Sequence, residues 1–100
     1  MTYYSVLEVT PTDDAWIPGY LEPVGKIIEG HGGKYLARTL THERLEGEGP
    51  EVGLRVILEW PSKEAAVAFV NDPEYAPHLA ARHAGSESHH VIIAGQDDFG

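Results

Sequence analysis

Extended stretches of this chain carry apolar residues at alternate positions, and the positions between them are often apolar as well. In Leu54-Arg-Val-Ile-Leu-Glu-Trp60, the residues Leu54, Val56, Leu58 and Trp60 fall on one side and Ile57 on the other. His89-His-Val-Ile-Ile-Ala94 and Tyr3-Tyr-Ser-Val-Leu-Glu-Val9 are apolar on both sides too. Successive strand residues point to opposite faces, so strands of this kind need cover above and below. The pattern predicts strands over residues 3–10, Lys34–Thr41, about Val52–Trp60 and about His89–Ala94. In the second of these, simple alternation puts Tyr35, Ala37 and Thr39 on one side and Leu36, Arg38 and Leu40 on the other.

Helical spacing takes over between the strands. Tyr20, Leu21, Val24, Ile27 and Ile28 recur at helical intervals, and Pro18 and Pro23 disturb them. A short turn near Pro18 is therefore expected, followed by the main helix from Tyr20 to Glu29. His31-Gly-Gly33 ends it, because glycine takes the left-handed cap conformation without a Cβ clash. Ser62 caps a second helix, Glu64 suits its positive end, and Ala66, Phe69 and Val70 form its apolar stripe. Asn71-Asp-Pro73 breaks this helix and restarts it, with Asp72 as cap and Pro73 in the first helical position. The continuation sets Tyr75, Ala76, Leu79 and Ala80 on one side. Leu45-Glu-Gly-Glu-Gly-Pro50 reads as a loop, Gly85–Ser88 as a turn, and residues 96–100 as a frayed acidic tail.

Strand-helix-strand followed by strand-helix-strand is the order of the ferredoxin-like βαββαβ fold, an α+β architecture with an antiparallel sheet. Its helices cover one sheet face. The other face needs a partner, and pairing two such faces gives a dimeric α/β barrel. One domain over residues 1–100 and a homodimer are the expectation.

Composition narrows the partners. Seven basic residues against sixteen acidic ones give a net charge of −9. Such a chain is repelled by nucleic acid and by anionic membranes. There is no cysteine, hence no disulfide or thiolate chemistry. No stretch is apolar and long enough to span a bilayer, and the start lacks a signal-peptide pattern. The expected compartment is the cytoplasm.

Four stretches, read together, resemble a known family. They are His31-Gly-Gly-Lys-Tyr-Leu-Ala-Arg38, Leu45-Glu-Gly47, Leu58-Glu-Trp-Pro-Ser-Lys-Glu-Ala-Ala66, and Asn71-Asp-Pro-Glu-Tyr75 followed by Arg82. In order and spacing they resemble the DUF1330 family of small dimeric α/β-barrel proteins. The family usually carries Gly-Gly after the arginine matching Arg38, where this chain has Thr39-Leu40. The resemblance implies the fold and a homodimer, and it implies no reaction. Fold relatives include cofactor-free monooxygenases, muconolactone isomerases and heme-degrading enzymes, which is analogy at the level of fold.

Several residues have a functional and a structural reading. Arg38, mid-strand beside Leu36 and Leu40, either holds a substrate carboxylate or enolate or forms an ion pair with Glu59 or Glu8. Glu59 lies between Leu58 and Trp60, as a proton shuttle or as the ion-pair partner of Arg38 or Arg82. His31 serves either as an acid or base at a cavity mouth or as a helix C-terminal cap. Tyr75 and Arg82, seven residues apart, share a helix face. They are candidates for ligand binding, or for anchoring the helix and pairing with a carboxylate. No metal site is expected: His89 and His90 point to opposite faces, and His78 and His83 are not at the spacing of a helical zinc pair. No phosphate loop, dinucleotide fingerprint or nucleophile elbow is present, and no cofactor is expected.

Two functions fit these features. One is a small-molecule binder or cofactor-independent enzyme, monooxygenase- or isomerase-like, with a small anionic or aromatic ligand in a cavity beside the sheet. The other is a non-catalytic homodimerisation or interaction module, in which the same polar residues form interface ion pairs. A cavity holding Arg38 without a salt-bridge partner favours the first; a filled interface with every charge paired favours the second.

Overall fold

A computed structural model covering residues 1–100 resolves the alternating stretches into four strands and the helical stretches into three helices. The elements are β1 (Tyr3–Pro11), α1 (Ile17–Gly30), β2 (Lys34–Thr39), β3 (Leu54–Trp60), α2 (Lys63–Val70), α3 (Ala76–Gly85) and β4 (Ser86–Ala94). The strands form one sheet in the order β2-β3-β1-β4, with every neighbouring pair antiparallel. This is the ferredoxin-like βαββαβ arrangement of dimeric α/β-barrel proteins.

The strand alternation decides which residues meet the helices. Leu7 pairs with Val56 and Val9 with Leu54, and these side chains point to the helix-covered face. There they form one core with Val24, Ile28, Leu58, Trp60, Ala66, Phe69 and Tyr75. On the opposite face Val6 lies between Ile57 and Val91, and Ala37 lies beyond Ile57. Those four make an apolar row across all four strands. No helix covers it: Ile57 is 40% exposed and Val91 57%.

Helix α1 runs unbroken through both prolines. Pro18 sits in the first turn, where its missing N–H is no loss. Pro23 deprives only the Gly19 carbonyl of a donor, and Gly19 is exposed to water. The helix ends in a Schellman motif: Gly33 N–H donates to the Ile28 carbonyl, Gly32 N–H to that of Glu29, and Gly32 has φ 81°.

Helix α2 ends at the expected break, and details around it and beyond depart from the sequence pattern. Helix α2 buries Ala66 and Phe69 but leaves Val70 exposed, because it stops at Asn71 after two turns. Asp72 then organises a turn rather than a helix start: its side chain accepts from Glu74 N–H and its carbonyl from Tyr75 and Ala76 N–H. Helix α3 begins at Ala76 and directs Tyr75, Leu79 and Arg82 inward, with Ala76 and Ala80 outside. The expected turn at Gly85–Ser88 is absent. Strand β4 starts at Ser86, because its pairing with β1 continues to Ser86 opposite Pro11.

Candidate functional site

A cavity lies between α1, α3 and the helix-covered face of the sheet. Its free space is about 80 Å³, several times what one water needs, roughly 10–15 Å³. Thirteen of its sixteen lining residues are hydrophobic. Leu54, Val56 and Leu58 of β3 form the floor, and Trp16, Tyr20, Tyr35, Phe69 and Tyr75 supply aromatic walls.

The two charged residues of the lining are Arg38 and Arg82. Arg38 reaches the cavity through an irregularity that alternation could not show. Between Tyr35 and Ala37 the register of β2 against β3 shifts, so Tyr35 pairs with Leu58 while Arg38 pairs with Val56. An extra residue in one strand moves the residues after it to the other face. Arg38 therefore shares a side with Tyr35, not with Leu36. Its guanidinium lies 4.2 Å over the Tyr35 ring centroid, a cation–π contact. The expected ion pair with Glu8 or Glu59 is not formed. Glu8 is engaged across the bare face by Arg55 at 3.1 Å.

Arg82 is 3% exposed and has no carboxylate partner. Its Nε and Nη1 atoms are buried and donate to no protein acceptor. Tyr75, 2% exposed, stacks on Phe69 with ring centroids 4.2 Å apart. Its hydroxyl lies 3.0 Å from that of Tyr20. One of these hydroxyls donates to the other, which leaves a second O–H proton free for a ligand. Burial, and then the Tyr75 hydroxyl, pushes the Tyr20 phenol well above its ordinary range, so it remains a donor. Burial likewise raises Tyr35, against the opposing pull of Arg38.

Glu59 and His31 lie outside this cavity. Glu59 is on the bare face opposite Lys34. His31 occupies the C-cap position of α1, where its Nε2 meets Asp72 Oδ2 at 2.7 Å and its ring packs edge-on to Phe69. That hydrogen bond, helped by Glu74 N–H, holds the Asp72 carboxyl below its usual range. The pair ties the end of α1 to the α2–α3 junction. No three His, Asp or Glu side chains converge on one point.

Sequence reasoning assigned no site role to Tyr20 or Tyr35. The signal for Tyr20 was available in its position one turn ahead of Val24 on the buried side of α1. Tyr35 depends on the bulge. A buried relay beside the cavity also went unread: Trp60 Nε1 donates to Ser5 Oγ at 2.8 Å, and Ser5 Oγ is 2.7 Å from His90 Nε2. Burial, reinforced by Arg82, lowers His90 to about 4.

Solved structures share this architecture. A protein of unknown function from Rhodopseudomonas palustris, RPA0582, superposes with a TM-score of 0.81 at 19% identity, over 96% of this chain and 83% of its own. SnoaB, a cofactor-independent oxygenase from Streptomyces nogalater, does so at 0.59 and 19%, over 98% and 94%. An antibiotic biosynthesis monooxygenase gives 0.54 and 14%, over 97% and 100%. At these identities the likeness is one of fold. No curated protein matches the chain. A family profile spans residues 2–96, from the start of β1 past the end of β4, and so takes in the bulge, the Arg38 and Arg82 positions and the junction between α2 and α3. By that match the chain belongs to DUF1330, a domain of unknown function.

Proposed function

We propose that this protein binds a small molecule in the cavity between sheet and helices, and that it is a cofactor-independent enzyme of the monooxygenase or isomerase kind, working as a cytoplasmic homodimer. One observation carries the reading: an aromatic, largely apolar cavity holds two guanidinium groups with no anionic partner in the chain. Arg82 is 3% exposed within a single subunit, out of reach of the partner carboxylate that an interface ion pair would require. The likeness to SnoaB, a cofactor-independent oxygenase, supports the same direction.

The chemistry this arrangement supports is stabilisation of negative charge on oxygen. An enolisable ketone in the cavity would lose its α-proton to solvent past the exposed lining residues Leu21 and Arg38, and Arg82 with a tyrosine hydroxyl would hold the enolate oxygen. No carboxylate or imidazole lines the cavity to take that proton. Tyr20 is held protonated and does not serve as the base.

The test is exchange of the α-hydrogens of 1-indanone in D2O, followed by NMR without added metal or flavin. Native protein should accelerate it at least about tenfold over buffer, a modest share of what an oxyanion donor contributes. Leu21 lines the cavity and is 45% exposed, so Leu21→Trp can fill the space at small cost to folding. The acceleration should vanish in that variant. Equal exchange rates in buffer, native protein and variant would sink the proposal.

A further inference from the structure

We propose that the resting ligand class of the cavity is a small aromatic acid, bound as its anion with the acid group on Arg82. The inference deepens the small-molecule reading and rests on it.

Every free polar hydrogen-bonding group that lines the cavity is a donor, apart from phenol oxygens. The polar groups are the guanidiniums of Arg38 and Arg82, the phenols of Tyr20, Tyr35 and Tyr75, and the indole of Trp16, whose N–H already donates to the Gly85 carbonyl. There is no aspartate, glutamate, histidine or amide side chain among them. In a chain with sixteen acidic and seven basic residues, that is the reverse of the overall balance. A cationic or purely donor ligand finds no counterpart here, whereas a carboxylate does.

Arg82 makes the charge of the ligand specific. A guanidinium stays protonated at any working pH, so burial cannot neutralise it. Left without a partner, it is the costly kind of buried group, and an anion from outside the chain is what removes the cost. The free O–H of the Tyr20–Tyr75 pair adds a neutral donor. Arg38 is exposed, so it sits where an arriving anion first meets positive charge. The flat walls offered by Tyr35 and the stacked Phe69–Tyr75 pair suit an aromatic body.

Three probes of one shape and different charge test this: benzoate, neutral benzamide and cationic benzamidine, titrated into the native protein and followed in amide and arginine Nε–H NMR spectra. Benzoate should shift the Arg82 Nε–H signal and bind about ten- to a hundredfold more tightly than benzamide, the range for a charge-assisted contact. Benzamidine should not bind. Arg82→Met, which fills similar volume without charge, should keep or raise the thermal midpoint and bind benzoate no better than benzamide. Benzamide binding as tightly as benzoate to native protein would overturn the inference while leaving the cavity a small-molecule site. So would an Arg82→Met variant that kept the benzoate preference. If none of the probes perturbs the cavity residues at millimolar concentration, the small-molecule reading falls as well. The comparison of probes on native protein needs no variant, so a failure of Arg82→Met to fold leaves the inference open to refutation.

Discussion

A single half-buried imidazole sets a pH limit on this fold. His90 projects from β4 onto the helix-covered face, where Ser5 meets its Nε2 and Trp60 donates to the same hydroxyl. The hydroxyl has one proton, and a neutral imidazole accepts it at Nε2. Burial and the nearby Arg82 depress His90 to about 4 in the folded chain, against about 6.5 when unfolded. Between those values the unfolded chain binds more protons. Stability from this group is therefore whole above about pH 6.5 and falls as the pH drops towards 4. The loss at pH 5 should be on the order of 1–2 kcal/mol, after allowance for solvent reaching part of the ring. Urea unfolding at pH 7 and pH 5 measures it. His90→Gln keeps an acceptor for Ser5 and should lose clearly less stability over that interval than the native protein. Identical losses would assign the effect to the carboxylates instead. At this scale the sequence was uneven. That His89 and His90 point to opposite faces is a consequence of period two alone, whereas the relay to Ser5 and Trp60 depends on pairing register, which one sequence does not display. Arg82 was legible as a helix-face residue two turns from Tyr75, but its lack of any carboxylate partner is a property of three elements meeting.

Among the elements, β2 shows how one extra residue redirects a site. Strict alternation sends Arg38 to the side of Leu36 and Leu40, which is the bare face. The bulge between Tyr35 and Ala37 returns it to the cavity. Nothing local marks the bulge, since no glycine or proline interrupts Lys34–Thr39, and so its effect was illegible. The end of α1 lies at the other extreme. His31-Gly-Gly33 announced a cap, and both glycines are required for separate reasons. Gly32 adopts a positive φ, and a Cβ on Gly33 would lie 2.6 Å from the Trp60 ring and 2.7 Å from Ile28 Cγ2. Trp60 is fully buried and cannot retreat. Gly33→Ala should therefore act as overpacking and cost about 1–3 kcal/mol. For a domain of this size that is a fall of at least about 4 °C in thermal midpoint. Gly30→Ala, with open space around it, serves as the control and should not fall. A Gly33→Ala midpoint equal to the native one would show that the α1–β2 corner can shift.

For the whole molecule, surface area points the same way as strand patterning. The chain exposes 6694 Å², whereas a compact monomer of 11.0 kDa should expose about 5,600 Å². The excess is of the order of one partner's share of an ordinary interface, about 800 Å². Two apolar features contribute to it. One is the apolar row Ala37–Ile57–Val6–Val91 across the bare face, bordered by the Arg55–Glu8 ion pair. The other is the exposed connection between β2 and β3, with Leu40 75% and Leu45 88% exposed. We infer that the bare face pairs with a second copy. Alternation sets Val56 and Ile57 on opposite sides of β3, and the structure shows which of the two sides the helices cover. Val56 belongs to the core beneath the helices, and Val56→Asp buries an unpaired carboxylate there, which should unfold the chain. Ile57 lies in the middle of the bare row, and in a lone subunit Ile57→Asp meets water. Sedimentation equilibrium at micromolar concentration should give a dimer for the native protein and a folded monomer for Ile57→Asp, with the far-ultraviolet spectrum of the native chain retained. The native protein sedimenting as a monomer would remove the bare face as an interface. A dimeric Ile57→Asp would move the interface elsewhere, to the free edge of β4 or to the β2–β3 connection.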